Sequence, residues 1–388
     1  MRISRIVAAL MSCLLWPLAS PAPSSEGGLA GYWIMDEGSG EIVDECSGAG
    51  MGAEGNVSGE IHWEQTGRGP SLRFDGRSTV VRIPSNPDWE ADEGELTLSL
   101  WIKSDKANTG LILDHYFSGT PGAWGLVSEG GFPKFALYDN ATKPVKLGFD
   151  GFVPGQWQHL AVVWRRASDG WLRGYLNGRF AGSIEGVNST VKRASDLFVG
   201  GRQGVDQFFR GNVRDLAIYN RALSAQEVAT LYRDGVKLNS PVVISSLRTG
   251  KVFYAPTERA AATVRVKNLT STAQKVELSL RLTSSLRRER ELHRMPLELP
   301  GTNTRAARIE FGFEGEDYGC EVRAAVTQDS QLLAEKREFF STSDNFWKVA
   351  IGSEWGSGLQ TGLGLHGSIP ESARKLYSNW YELFFWSP

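Results

Sequence analysis

Apolar and polar positions alternate in short runs along much of the chain. Leu96-Thr97-Leu98-Ser99-Leu100-Trp101-Ile102-Lys103 has the period of two that turns one face of a strand to a core and the other outward. Trp157 to Trp164 predicts a second strand, and Leu172 to Leu176 and Arg179 to Ala181 predict a pair joined by Asn177-Gly178. Asn-Gly between apolar runs signals a hairpin, because both turn positions adopt positive φ. Leu197 to Gly201 and Val213 to Tyr219 predict further strands. Short strands with Gly-rich turns indicate a sandwich or jelly roll, not a parallel α/β sheet. One helix interrupts them. Ser224-Ala225-Gln226-Glu227 forms a capping box, Val228, Leu231 and Tyr232 an apolar stripe, and Gly235 a stop.

A second set of alternating runs follows: Ala262 to Leu269, Lys275 to Leu282, then Glu321 to Val326 and Leu332 to Phe340 around Gln328-Asp329-Ser330. This pattern resembles the immunoglobulin-like spacer domains of secreted bacterial enzymes. The expected fold class is therefore all-β: a jelly-roll β-sandwich over 26–238, an immunoglobulin-like β-sandwich over 239–342, and an aromatic-rich segment over 343–388. That last segment holds Phe346, Trp347, Trp355, Tyr377, Trp380, Tyr381, Phe384, Phe385 and Trp386. It is expected either to dock on the preceding domains or to open a truncated third domain, because so apolar a stretch is sticky when bare.

Composition narrows the function. The 388 residues carry 42 Lys+Arg against 44 Asp+Glu, a balance that argues against nucleic-acid binding. An apolar fraction of 41% argues against disorder. At the N-terminus, Arg2 and Arg5 precede the apolar run Ile6 to Leu18 and a stretch of small residues, the pattern of a secretory signal over 1–25. The run is too short for a confident membrane span. Export to a periplasmic or extracellular space is expected; Leu10-Met11-Ser12-Cys13 offers the alternative of a lipid anchor at Cys13. Beyond it, Cys46 and Cys320 are expected to be buried free thiols. Four Asn-x-Ser/Thr sequons stand at Asn56, Asn140, Asn188 and Asn268.

Several segments together resemble the LamG-like, concanavalin A-like jelly-roll family. They are Gly31-Tyr32-Trp33 with Asp36-Glu37-Gly38, Leu72-Arg73-Phe74-Asp75-Gly76, Leu98 to Ile102, Trp157-Gln158-His159, Tyr175 to Gly178, Phe209-Arg210-Gly211, and Asp215 to Ser224. The resemblance covers about 210 residues in family order. It implies a secreted, non-catalytic module that binds extracellular or cell-surface polysaccharide, often braced by a structural Ca²⁺. The alternatives are the accessory part of a truncated glycoside hydrolase and a protein-adhesive module. Asp36, Asp75 and Asp215 are the expected metal ligands, as hard oxygen donors. Each could instead cap a turn. Arg214 stands where many members carry the first of two acids, which removes part of that set.

Sugar recognition uses exposed rings that stack on apolar sugar faces. Tyr116, Trp124, Tyr138 and Trp171 lie in Gly- or Asp-bearing segments and are the expected ligand-binding rings. Trp33, Trp101, Trp157 and Trp164 sit in alternating runs and are expected to pack. No catalytic set is legible: no Gly-x-Ser-x-Gly elbow and no phosphate loop occurs. His366, Glu354, Glu371 and Glu382 have no spacing that would fix a pair of glycosidase carboxylates.

Overall fold

A computed structural model describes residues 27–48, 54–85, 94–115, 122–138, 144–166, 169–187, 195–283, 289–315 and 317–344. The signal segment, Tyr116, Asn140, Asn188 and the aromatic segment from 345 onward lie outside the described residues.

The first sandwich is two eight-stranded sheets. One runs Arg179–Glu185, Trp171–Leu176, Gln158–Arg166, Gly94–Ser104, Arg210–Tyr219, Gly69–Asp75, His62–Thr66, with Leu29–Trp33 also paired to Arg210–Tyr219. The other runs Val145–Gly148, Phe132–Leu137, Trp124–Glu129, Gly110–His115, Leu197–Val199, Val80–Ile83, Gly55–Ser58, Ile42–Val43. Alternation sends Leu98, Leu100, Ile102, Leu160, Val162 and Trp164 into the core between the sheets. The opposite parity places Ser99, Trp101, His159 and Ala161 on the outer face of the first sheet.

That outer face is partly covered by a helix, Ala225–Asp234. Ser224 and Glu227 form both arms of the capping box, and Gly235 closes the helix at φ 75°. Val228 and Leu231 bury against Ala161, Val163, Tyr175 and Ala217 in a second, smaller core. Tyr232 does not join that stripe and stays 40% exposed. The hairpin tip Asn177-Gly178 has φ of 50° and 75°, as its sequence dictates. A Cβ on Gly178 would come within 3.0 Å of Tyr232, so this tip supports the helix closely.

A β-bulge lies in Arg210–Tyr219 between Arg214 and Ala217, with Asp215 left-handed at φ 53°. The extra residue restores parity, so Leu216 and Ile218 point into the core.

The second sandwich packs a three-stranded sheet (Val242–Thr249, Arg259–Asn268, Thr304–Gly312) against a five-stranded one. The latter contains Gln274–Thr283, Glu289–Leu299, Asp317–Gln328 and Gln331–Thr342, with Phe253–Tyr254 added in parallel. Asp329 and Ser330 form the expected hairpin turn, both at positive φ. Cys46 and Cys320 are buried, and neither is in a disulfide. Asn268 is fully buried and donates to the carbonyls of Thr272, Leu299 and Pro300, so this sequon is structural.

Buried charge joins the two sandwiches. Lys267 Nζ donates to Asp36 at 2.7 Å and lies 3.6 Å from Glu37. Arg265 forks onto the fully buried Asp44, Nε at 2.9 Å and Nη2 at 3.3 Å, and Thr304 donates to the same carboxylate. Arg248 pairs with buried Glu54, and Lys336 lies 3.9 Å from Glu45.

Candidate functional site

A cleft of about 280 Å³ opens where the C-terminal end of the helix meets the outer face of the first sheet. Gly94–Ser104 supplies Ser99 and Trp101, Gln158–Arg166 supplies His159, the bulge supplies Asp215, and the helix end supplies Tyr232. Arg68 reaches in from the turn before Gly69–Asp75.

Three rings cluster there. Trp101 and Tyr232 stack at 5.6 Å and 30°, and His159 lies 5.5 Å from Trp101 and 5.9 Å from Tyr232. The Arg68 guanidinium lies 3.4 Å from the Trp101 ring centroid, a cation–π contact. His159 Nε2 and Ser99 Oγ are 2.8 Å apart, while buried Nδ1 has no hydrogen-bond partner among the described residues. Burial first, and the nearby charge of Arg68 second, push the imidazole down to about 4. His159 is therefore neutral at pH 7. With no carboxylate on Nδ1, this pair lacks the third member of a hydrolytic triad.

Asp215 accepts from the Tyr32 hydroxyl at 3.0 Å, and its backbone N–H donates to Ile34. Burial raises its carboxyl pKa despite Arg214 and the Tyr32 hydrogen bond. The cleft thus combines aromatic faces with a hydroxyl, a carboxyl and a guanidinium, a set suited to a small ligand with both apolar and polar faces.

The rings expected from the sequence fare differently. Trp124 is 3% exposed, stacks on His115 at 4.9 Å and lies 5.8 Å from Phe135 inside the core, so it cannot receive a sugar. Tyr138 is half-buried, its backbone paired with Gly122 and Ala123. Trp171 is half-buried with the Arg173 guanidinium 4.0 Å from its ring centroid, a contact of the same kind as that of Arg68 on Trp101, but it does not line the cleft. Trp101, expected to pack, is instead the ring at the cleft. Its parity with Ser99, opposite to Leu98, Leu100 and Ile102, is the signal that marks it.

The three expected calcium ligands do not form one cluster among the described residues, although Asp36 lies near enough for its charge to reach Asp215. Asp75 accepts from the backbone N–H groups of Arg77, Ser78 and Thr79 and from the Ser78 hydroxyl, capping its turn and falling well below the usual carboxylate range. It sits five residues along its strand from Pro70, whose carbonyl accepts from Arg214, a separation of roughly 16 Å. Asp36 is taken by Lys267, with Arg214 Nη2 at 3.6 Å. Asp215 is taken by Tyr32. No group of three or more His, Cys, Asp or Glu suited to a metal occurs among the described residues. Two cationic side chains hold the charge that a metal would have neutralised at Asp36.

Residues 75–229 match the family model of the concanavalin A-like lectin/glucanases superfamily. The first sandwich is a jelly roll, and the stretch that matches the lectin/glucanase model lies within it. Human Pentraxin-4 is 26% identical over 190 residues, 45% of this chain and 38% of that protein, so the chain spans well under half of that curated relative. Among solved structures, domain 4 of an extracellular arabinanase from Geobacillus stearothermophilus, in complex with arabinotriose, is 19% identical at TM-score 0.42. It covers 53% of this chain and 98% of that one. The binding domain of Paraclostridial Mosquitocidal Protein 1 is 12% identical at TM-score 0.44, covering 80% of this chain and 75% of that one. No helix among the described residues is long and apolar enough to cross a membrane.

Proposed function

We propose that the protein is an exported, non-catalytic binding module whose jelly roll recognises extracellular carbohydrate at the cleft beneath the helix. The observation that carries this reading is the Trp101–Tyr232 pair at the mouth of a polar cleft on a lectin/glucanase-type sandwich. A pyranose presents an apolar face to rings and a rim of hydroxyls to polar groups. Here Ser99, Asp215 and Arg68 surround the rings. The second sandwich, fixed by its buried ion pairs, would hold the jelly roll in one orientation.

Calorimetric titration of the chain with a panel of soluble polysaccharides tests the reading. At least one polymer is expected to bind, and Trp101→Ala and Tyr232→Ala are each expected to abolish the heat while the melting temperature stays close to wild type. Binding that survives both substitutions would remove the cleft as the site. A blank panel would remove carbohydrate as the ligand.

A further inference from the structure

Arg68 distinguishes which carbohydrate the cleft takes, an inference that rests on the reading above. The other arginines around it are engaged. Arg214 donates to the carbonyls of Arg68 and Pro70 and faces Asp36, while Arg233 forks onto Asp234 at 2.8 and 2.9 Å. The Arg68 guanidinium has no ion pair and no side-chain hydrogen bond among the described residues. It lies on Trp101 with its donors unspent.

The backbone beneath it is pinned. Thr66 Oγ1 accepts from Arg68 N–H and donates to Gly69, and Arg214 holds the Arg68 carbonyl. Gly69 turns the chain at φ 90°, a left-handed conformation that favours glycine. The turn therefore presents Arg68 at the cleft in a fixed place.

A neutral sugar lying on Trp101 would have to displace this cation or bury it with its donors unpaired, with only the through-space field of Asp215 to offset its charge. An anionic sugar would keep it and gain a two-pronged, charge-assisted contact. Asp215 acts on Arg68 through space without an ion pair and accepts from the Tyr32 hydroxyl, so the Arg68 donors stay open to a ligand. We propose that the cleft binds glycans carrying an anionic group on the ring, a uronate carboxylate or a sulfate ester, with Arg68 as the anion-recognising group.

Equilibrium titration of the full chain with polygalacturonate, a neutral galactan and dextran sulfate tests this, using wild type, R68A, R68K and the exposed-arginine control R179A. The acidic polymers are expected to bind at least about tenfold tighter than galactan, the size expected of hydrogen bonds to a charged group. R68A is expected to lose that preference, R68K to keep only part of it, and R179A to keep it all. Polygalacturonate and dextran sulfate separate a carboxylate from a sulfate as the anion. Galactan bound as tightly as the acidic polymers, with R68A silent, would overturn the anionic proposal and leave the carbohydrate reading standing. Equal losses in R68A and R179A would show diffuse attraction and overturn it as well. No binding to any polymer would overturn both.

Discussion

Replacing His159 by Gln isolates one titration from all others in the protein. Burial and the field of Arg68 push this imidazole down from 6.5 to about 4. The folded state keeps it neutral where the unfolded chain would protonate it. Its contribution to stability is therefore full above pH 6.5 and is lost as pH falls toward 4. A displacement of that size corresponds to about 3 kcal/mol. Glu37 works against it, because burial pushes that carboxyl from 4.5 up to about 7. Its contribution is full below pH 4.5 and lost as pH rises through 7. The wild-type profile mixes both slopes, so the informative quantity is the difference between wild type and H159Q. Denaturant unfolding followed by tryptophan fluorescence from pH 8 to pH 4 gives that difference. The wild-type advantage at pH 8 is expected to shrink by about 3 kcal/mol by pH 4. A difference constant to within about 0.5 kcal/mol would refute the buried, neutral His159 on which the description of the cleft depends.

Three further outcomes are expected. Trp124→Ala should cost roughly 3–5 kcal/mol in denaturant melts, because it empties a packed core site, whereas Trp101→Ala should cost clearly less; the reverse order would contradict their placement. Lys267→Met should destabilise the chain by about 3–5 kcal/mol, since it strands Asp36 and Glu37 without their ammonium, and a loss under 1 kcal/mol would show that the inter-domain charges are not coupled. Millimolar Ca²⁺ added after EDTA should leave the calorimetric melting temperature unchanged; a rise of several degrees would reveal a metal site outside the described residues.

What the sequence made legible follows the range of the forces involved. Strand parity, the Asn177-Gly178 turn and the Ser224–Glu227 capping box are set by neighbours a few residues apart, and each can be read from the chain. The same parity sets Trp101 on the outer face, against the expectation that it packs, and no local pattern shows that a helix leaves its ring at a cleft while Trp124 sinks beside Phe135. The acids were harder. Asp36 meets Lys267 across 231 residues and Asp44 meets Arg265 across 221, and no local pattern encodes such partners. Asp75 was legible in its alternative role, since an Asp two to four residues before free backbone N–H groups caps its own turn.

Arg214 joins these observations. In the sequence it reads as the loss of a metal ligand. In the structure its guanidinium faces Asp36 and holds the carbonyls of Arg68 and Pro70. The same substitution that removes an acid from the expected calcium set thus supplies a fixed cation in its place. It also builds the turn that presents Arg68. On the proposed reading, a jelly roll whose Asp36 is paired with Lys267 and faced by Arg214 should bind its ligand in EDTA as well as in Ca²⁺. That behaviour would set it apart from a metal-braced lectin of the same fold, and parallel titrations in the two buffers would show it directly.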